Sequence, residues 1–227
     1  MAVIKRLSLV DQVYEKIRDR IVKLEVPFGS KLNVSKLQEE YGVSSTPVRE
    51  ALNRLLNEGL IEFENNVGAS VINMTETDVI EEQELEAAFE MAAVRYAMQK
   101  GNLKQMAEEI NCHIEDYRAS QDLQESCTCI RKIKEVFYRY ADNQRLLNKS
   151  TSLNGVEDIL HTLFTMQTPG KEHKYHSGIT YFEKIHAAVL ENDFGKVCDG
   201  LDEHRLWARQ HILRNLNYVK ERDRVEE

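Results

Sequence analysis

Residues 44–59, SSTPVREALNRLLNEG, constrain this chain more than any other stretch. Three hydroxyl residues head the segment. Pro47 stands where the first turn of a helix would be, a place where a missing N–H costs little, and Gly59 stands just past the end. Val48, Leu52, Leu55 and Leu56 recur at helical spacing and form an expected inner face. Upstream, Leu9, Val13, Ile17, Ile21 and Leu24 make the stripe of an amphipathic helix that Pro27 and Gly29 interrupt. NVSKLQEEYGV between them reads as a short helix, capped by Asn33 or Ser35 and followed by Gly42, which accommodates a left-handed residue. Downstream, LIEF and ASVINM carry strand-type residues around Asn65-Asn66-Val67-Gly68, a turn rich in residues that tolerate positive φ.

The order is helix, helix, turn, helix, hairpin within about 75 residues. Two short helices joined through a glycine match a helix-turn-helix, and the hairpin is its wing. The third helix is then the recognition helix, its N-terminal end directed at the major groove. Ser44, Ser45 and Thr46 can donate to phosphate oxygens beside the free N–H groups at the helix start. Arg49, one turn in, can hold a guanine edge or a phosphate with two parallel hydrogen bonds. Lys36 on the second helix joins these candidates. Arg54 and the first-helix bases Lys16, Arg18, Arg20 and Lys23 are weaker phosphate candidates.

GVSSTPVREALNRLLNEGLIEFENNVGASV resembles the winged helix-turn-helix of GntR-family bacterial transcription regulators, whose usual run is GVSRTPVREAL followed by EGL, an apolar stretch and a Gly-containing wing. The resemblance spans roughly residues 8–73. It implies a homodimer on a pseudo-palindromic operator in double-stranded DNA. By position, Ser44, Ser45, Thr46 and Arg49 match the family's recognition-helix contacts, and Asn66 and Gly68 match its wing. One departure stands out: Ser45 occupies the place of the usual Arg, so one contact of about 1–3 kcal/mol is absent.

After Thr75 almost every window reads as helix. The expected spans are about 77–99, 103–118, 121–140, 143–166, 175–191 and 194–220, with breaks near Gly101, Asn154-Gly155 and Pro169-Gly170. The fold class is therefore mainly α: an N-terminal winged helix-turn-helix (1–75) and a C-terminal all-helical bundle (76–227) for effector binding and dimerisation. ELEAAFEMAAVRYAM, ADNQRLL and YFEKIHAAVLENDFGKVCDGLDEHRLWA resemble the FCD-type ligand-binding domain of the FadR-like branch. That resemblance implies a small-molecule metabolite that changes DNA affinity. Many members of the branch hold a divalent metal through an Asp, a His four residues later and two further His. Here one register places Ile130 and Lys134 at the first two positions, another places Lys134 and Tyr138, and Phe182 falls on the third. Only His204 survives, so the expectation is a metal-free site. Glu86 replaces a usual Arg ahead of the Phe89-Glu90 pair. The candidate effector residues are Glu86, Lys134, Tyr138, Phe182 and His204. They imply either a ligand that is not a small metal-chelating carboxylate or a pocket collapsed into packed core. His173 and His176 read as surface loop.

The chain's 227 residues carry a net charge of -8, which by itself argues against a nucleic-acid partner. The charge is unevenly spread. Residues 1–75 hold 10 Lys+Arg and 10 Asp+Glu, and the first 36 hold 8 basic against 4 acidic. The acidity belongs to the rest, notably the run from Glu76 to Glu90. No apolar run reaches the roughly 18 residues of a membrane span, and charges come too early for a signal-peptide core, so a cytoplasmic chain without a membrane partner is expected. Cys112, Cys127, Cys129 and Cys198 read as unpaired thiols. The sequence lacks GxGxxG, P-loop and GxSxG motifs, which argues against an enzyme. The alternative is a winged helix that docks protein without specific DNA binding.

Overall fold

Ser8 starts the first helix with a reciprocal cap. Its hydroxyl accepts from the Asp11 N–H, and the Asp11 carboxylate accepts from the Ser8 N–H. In this computed structural model, which describes residues 7–64, 68–151, 154–167 and 178–226, α1 runs Leu9–Val22. Asn33 caps α2 (Val34–Tyr41), accepting from the Ser35 and Lys36 N–H groups, and Gly42 ends it at φ 64°. α3 covers Ser45–Asn57, and the turn after it is closed by Gly59 at φ 73°. Val48, Ala51, Leu52 and Leu55 of α3 are buried with Val13, Ile17 and Ile21 of α1. Leu56 is not part of this inner face: it is 41% exposed, because the packed side of α3 runs through Ala51 instead.

The hairpin pairs β1 (Ile61–Glu64) antiparallel with β2 (Gly68–Val71), in the register Ile61↔Val71 and Glu64↔Gly68. The segment before α2 lies along the far side of β2, where Leu32 donates to the Ala69 carbonyl and Val71 to the Ser30 carbonyl.

The remaining helices are α4 (Glu76–Lys100), α5 (Leu103–Ala119), α6 (Leu123–Tyr140), α7 (Gln144–Thr151), α8 (Asn154–Thr165), α9 (Ile179–Leu190) and α10 (Phe194–Glu226). The span expected at 143–166 is two helices, α7 and α8. The helix expected from 175 is described from Ile179, and its earlier part, with His173 and His176, lies outside the described residues. The last helix continues beyond 220, to Glu226. Among the described residues no helix is long and apolar enough to cross a membrane.

The chain gathers into two compact units. The first holds the described residues within Met1–Thr75, Ser152–Thr162 and Asn217–Glu227; the second holds those within Glu76–Thr151 and Leu163–Leu216. In the second, α4, α5, α6 and α9 pack around Val94, Met106, Ile110, Ile133, Phe137 and Phe182. In the first, the start of α8 approaches the turn after α3 so closely that a Cβ on Gly155 would stand 2.5 Å from the Glu58 carbonyl oxygen. Replacing Gly155 by Ala should therefore cost about 1–3 kcal/mol in a urea titration, the usual penalty for forcing atoms into packed structure. Gly195→Ala, whose Cβ would meet only the Asp193 carboxylate at 3.4 Å, should leave stability unchanged or raise it.

Candidate functional site

The helical period decides what α3 shows to its surroundings. With Pro47, Val48, Ala51, Leu52 and Leu55 buried, the opposite side carries Ser45, Thr46, Arg49, Glu50, Asn53 and Leu56. Ser44 holds the N-cap position with extended geometry, yet its hydroxyl makes no capping hydrogen bond. Ser44, Thr46 and Arg49 are exposed, and Ser45 is half-buried. Hydroxyls free of capping, first-turn N–H groups and a guanidinium thus share one helix end, an arrangement built for an anion. Asn53, one turn beyond Arg49 on the same face, was not among the sequence candidates. Its signal was the i, i+4 spacing from Arg49, and an Asn amide in a groove suits the adenine edge.

The other basic side chains are committed elsewhere. Arg54 donates to Asp11 at 2.7 Å. Arg18 donates to Glu58 at 3.0 Å and to Asp158 at 2.6 Å. Arg20 pairs with Glu40 at 2.8 Å, and Lys23 with Asp19 at 2.7 Å. The Lys16 ammonium lies over the Tyr41 ring, 5.6 Å from its centroid. Asp11, Tyr14 and Arg18 form a seam along α1 that holds Arg54 and Glu58 at the far end of α3, and the Tyr14 hydroxyl also donates to Glu58. Burial and then the Glu58 carboxylate push the Tyr14 hydroxyl up to about 12. Hydrogen bonds from Ser8 and Arg54 hold the Asp11 carboxyl at about 2. Among the described arginines of residues 7–75, Arg49 alone has no side-chain partner. Lys36, exposed in the first turn of α2, likewise has none.

In the wing, Gly68 begins β2 at φ 99°, a conformation that favours glycine. Asn66 lies outside the described residues. The strand β1 exposes Glu62, Phe63 and Glu64, and Lys31 bridges to Ser70 on the other side of the hairpin. Phosphates are disfavoured along that acidic strand.

Residues 9–71 match the bacterial regulatory proteins of the gntR family. This segment, the winged helix-turn-helix, is similar to that family's regulators. The chain is accordingly a DNA-binding transcriptional regulator. Over most of its length it is similar to the uncharacterized HTH-type transcriptional regulator YdhC of Bacillus subtilis (strain 168): 23% identical over 210 residues, covering 91% of this chain and 87% of that protein. It is 32% identical over 105 residues to a probable D-xylose utilization operon transcriptional repressor of Paenarthrobacter nicotinovorans, which covers 46% of each chain. The fold is shared with a putative GntR transcriptional regulator from Rhodococcus sp. RHA1, at a TM-score of 0.62 and 21% identity over 91% of this chain and 98% of that one. The gntR-type segment contains the whole surface of α3 described above.

The helical unit of this regulator encloses a chain of charges. Lys134 on α6 lies 2.8 Å from Glu86 and 2.6 Å from Glu90, both on α4. Glu90 also accepts from Arg205 of α10 at 2.5 Å, and Arg205 reaches Asp202 as well. Glu90 and Arg205 were missed as candidates, because nothing in a helical pattern distinguishes a buried charge from a surface one. Burial opposes the Glu90 carboxylate, but Lys134 and Arg205 outweigh it and hold the carboxyl at about 2. Burial likewise opposes the Lys134 ammonium, which Glu86 and Glu90 nonetheless keep above its ordinary value. His204 is buried beside Phe182, Tyr181 and Trp207, with ring centroids 4.7, 5.9 and 5.6 Å away. Burial first, then Lys134, depresses its imidazole to about 3, so the ring is neutral. Among the described residues its Nε2 has no hydrogen-bond partner. Of the five sequence candidates, Glu86 and Lys134 are bonded directly and Phe182 and His204 are in ring contact; Tyr138 is buried in the same core as Phe182.

This donor set does not fit a divalent metal. One neutral imidazole stands near carboxylates that two cations already hold. Burial pushes the Cys127 thiol up to about 12, so it offers no thiolate at neutral pH. The four cysteines are free thiols.

His204 makes the fold acid-sensitive. In the unfolded chain its imidazole takes up a proton below the ordinary value of 6.5, whereas the folded chain refuses it down to about 3. Stability is therefore full above 6.5 and falls towards 3, by up to about 1.4 kcal/mol per pH unit. The depressed Glu90 carboxyl adds a further loss between 4.5 and about 2. Urea titrations at pH 7 and pH 5.5 should show the drop in the parent protein and a smaller one in His204→Phe. Equal drops in both would contradict the assignment.

Proposed function

We propose that the chain is a repressor that binds a pseudo-palindromic operator as a homodimer, reading bases through Arg49 and Asn53 and phosphates through Ser44, Ser45, Thr46 and Lys36. The observation that carries this is the unpaired Arg49 guanidinium at the open end of α3, in a domain whose other described arginines are neutralised by carboxylates. A cation already paired with a carboxylate must give that partner up to bind phosphate, whereas an unpaired exposed one is ready for a phosphate or a guanine. The repressor reading draws on the D-xylose operon relative. Wing contact is assigned to Asn66 and Gly68, since Glu62 and Glu64 repel phosphate along β1.

The helical unit, in this reading, is an effector domain of the FadR-like FCD type that works without a metal. Lys134 and Arg205 are consumed by three carboxylates, so neither is free for a carboxylate ligand. The neutral His204 ring, its unpartnered Nε2 and the surrounding aromatic side chains suit an uncharged ligand with one polar group. Filling that hydrogen bond recovers the roughly 1–3 kcal/mol that a buried unsatisfied polar atom costs.

The test is a gel shift with the DNA upstream of the chain's own gene. Arg49→Ala should lose about 1–3 kcal/mol and the preference for that DNA over unrelated sequence. Lys36→Ala should weaken binding to both DNAs alike and lower the salt slope by about one. Chelator treatment should change neither the shift nor the melting temperature. Arg49→Ala binding with unchanged affinity and preference would sink the assignment.

A further inference from the structure

α4 has two usable faces, and the bundle covers one. Val79, Gln83, Glu90, Ala93, Val94 and Ala97 point into the helical unit. On the opposite side, the helical period lines up Glu81, Leu85, Ala88, Met91 and Arg95 in one stripe. Leu85 and Met91 are 43% and 41% exposed, a large allowance for apolar side chains so close together. Neither Glu81 nor Arg95 has an oppositely charged partner among the described residues, although the Arg95 guanidinium rests over the Phe194 ring at 5.3 Å.

The stripe is symmetric about Ala88. Leu85 precedes it by three residues and Met91 follows by three; Glu81 precedes it by seven and Arg95 follows by seven. A two-fold axis through Ala88 would therefore set Leu85 against Met91 of a second copy. It would bring Glu81 to Arg95 twice, about 10 Å on either side of the axis at 1.5 Å rise per residue. The small Ala88 side chain lets two helices approach at the crossing point. Such a surface is its own complement in shape and charge, which is what an isologous contact requires.

We propose that this face of α4 is the dimer interface, with a second copy of the chain packed antiparallel across Ala88. The proposal supplies the dimer of the operator reading and rests on it for its purpose, but its test uses no DNA. Light scattering after gel filtration should give twice the 26.3 kDa chain mass for the parent protein. Leu85→Glu should be a monomer with an unchanged helical circular dichroism spectrum. Glu81→Arg and Arg95→Glu should each weaken the dimer by about tenfold or more, because like charges then meet twice. The double variant Glu81→Arg/Arg95→Glu should return to within about threefold of the parent, since both pairs are restored in reverse. A monomeric parent would overturn the proposal. So would a dimer that ignores both single swaps, or a double variant no better than the singles. Failure of the gel shift with a swap-sensitive dimer would sink the operator reading alone.

Discussion

Everything this chain does to DNA depends on one apolar seam. Val13, Ile17 and Ile21 of α1 and Val48, Ala51, Leu52 and Leu55 of α3 are buried together, the Val, Ile and Leu side chains each worth about 1.5–3 kcal/mol relative to exposure. Rotating α3 by one residue would bring a polar side chain into that seam, so the rotation is fixed. Because it is fixed, Thr46, Arg49 and Asn53 must face outwards. The polar pairs Asp11–Arg54 and Arg18–Glu58 lie along the edge of the same contact and hold the far end of α3. They also remove cations that would otherwise compete with Arg49 for phosphate. A domain with no net charge can thus present a local positive end, and its specificity leans on geometry more than on bulk attraction.

The helical unit follows the same logic with charges inside. A buried carboxylate is tolerable only with partners, and Glu90 has two, Lys134 and Arg205, from different helices. This joins α4, α6 and α10 by ionic contacts. It also leaves His204 neutral and short of one hydrogen bond. In the proposed reading, a ligand there is selected for a polar group and an apolar body, not for a charge.

Much of this was legible in the sequence. Pro47 and Gly59 framed α3, Gly42 and Asn33 framed α2, and Gly68 marked the wing, because each sits where backbone geometry restricts the residue type. What escaped was three-dimensional pairing. Arg18 looks like any surface arginine until Glu58 and Asp158, 40 and 140 residues away, are brought to it. Leu56 fits a helical stripe as well as Ala51 does, and only packing shows which is inside. Glu90 and Arg205 carry no local sign of burial. The close approach of Gly155 to the turn after α3 is a contact between distant segments that no local pattern announces.

The central claim is that the open end of α3 is where DNA binds. The most direct measurement is amide hydrogen exchange with and without the DNA upstream of the chain's gene. First-turn amides of a helix have no carbonyl partner within it and exchange quickly unless something else accepts from them. Bound DNA should slow exchange across residues 44–49 and leave the helical core around Ile133 and Phe137 unchanged. Binding with unchanged exchange at 44–49 would contradict the account.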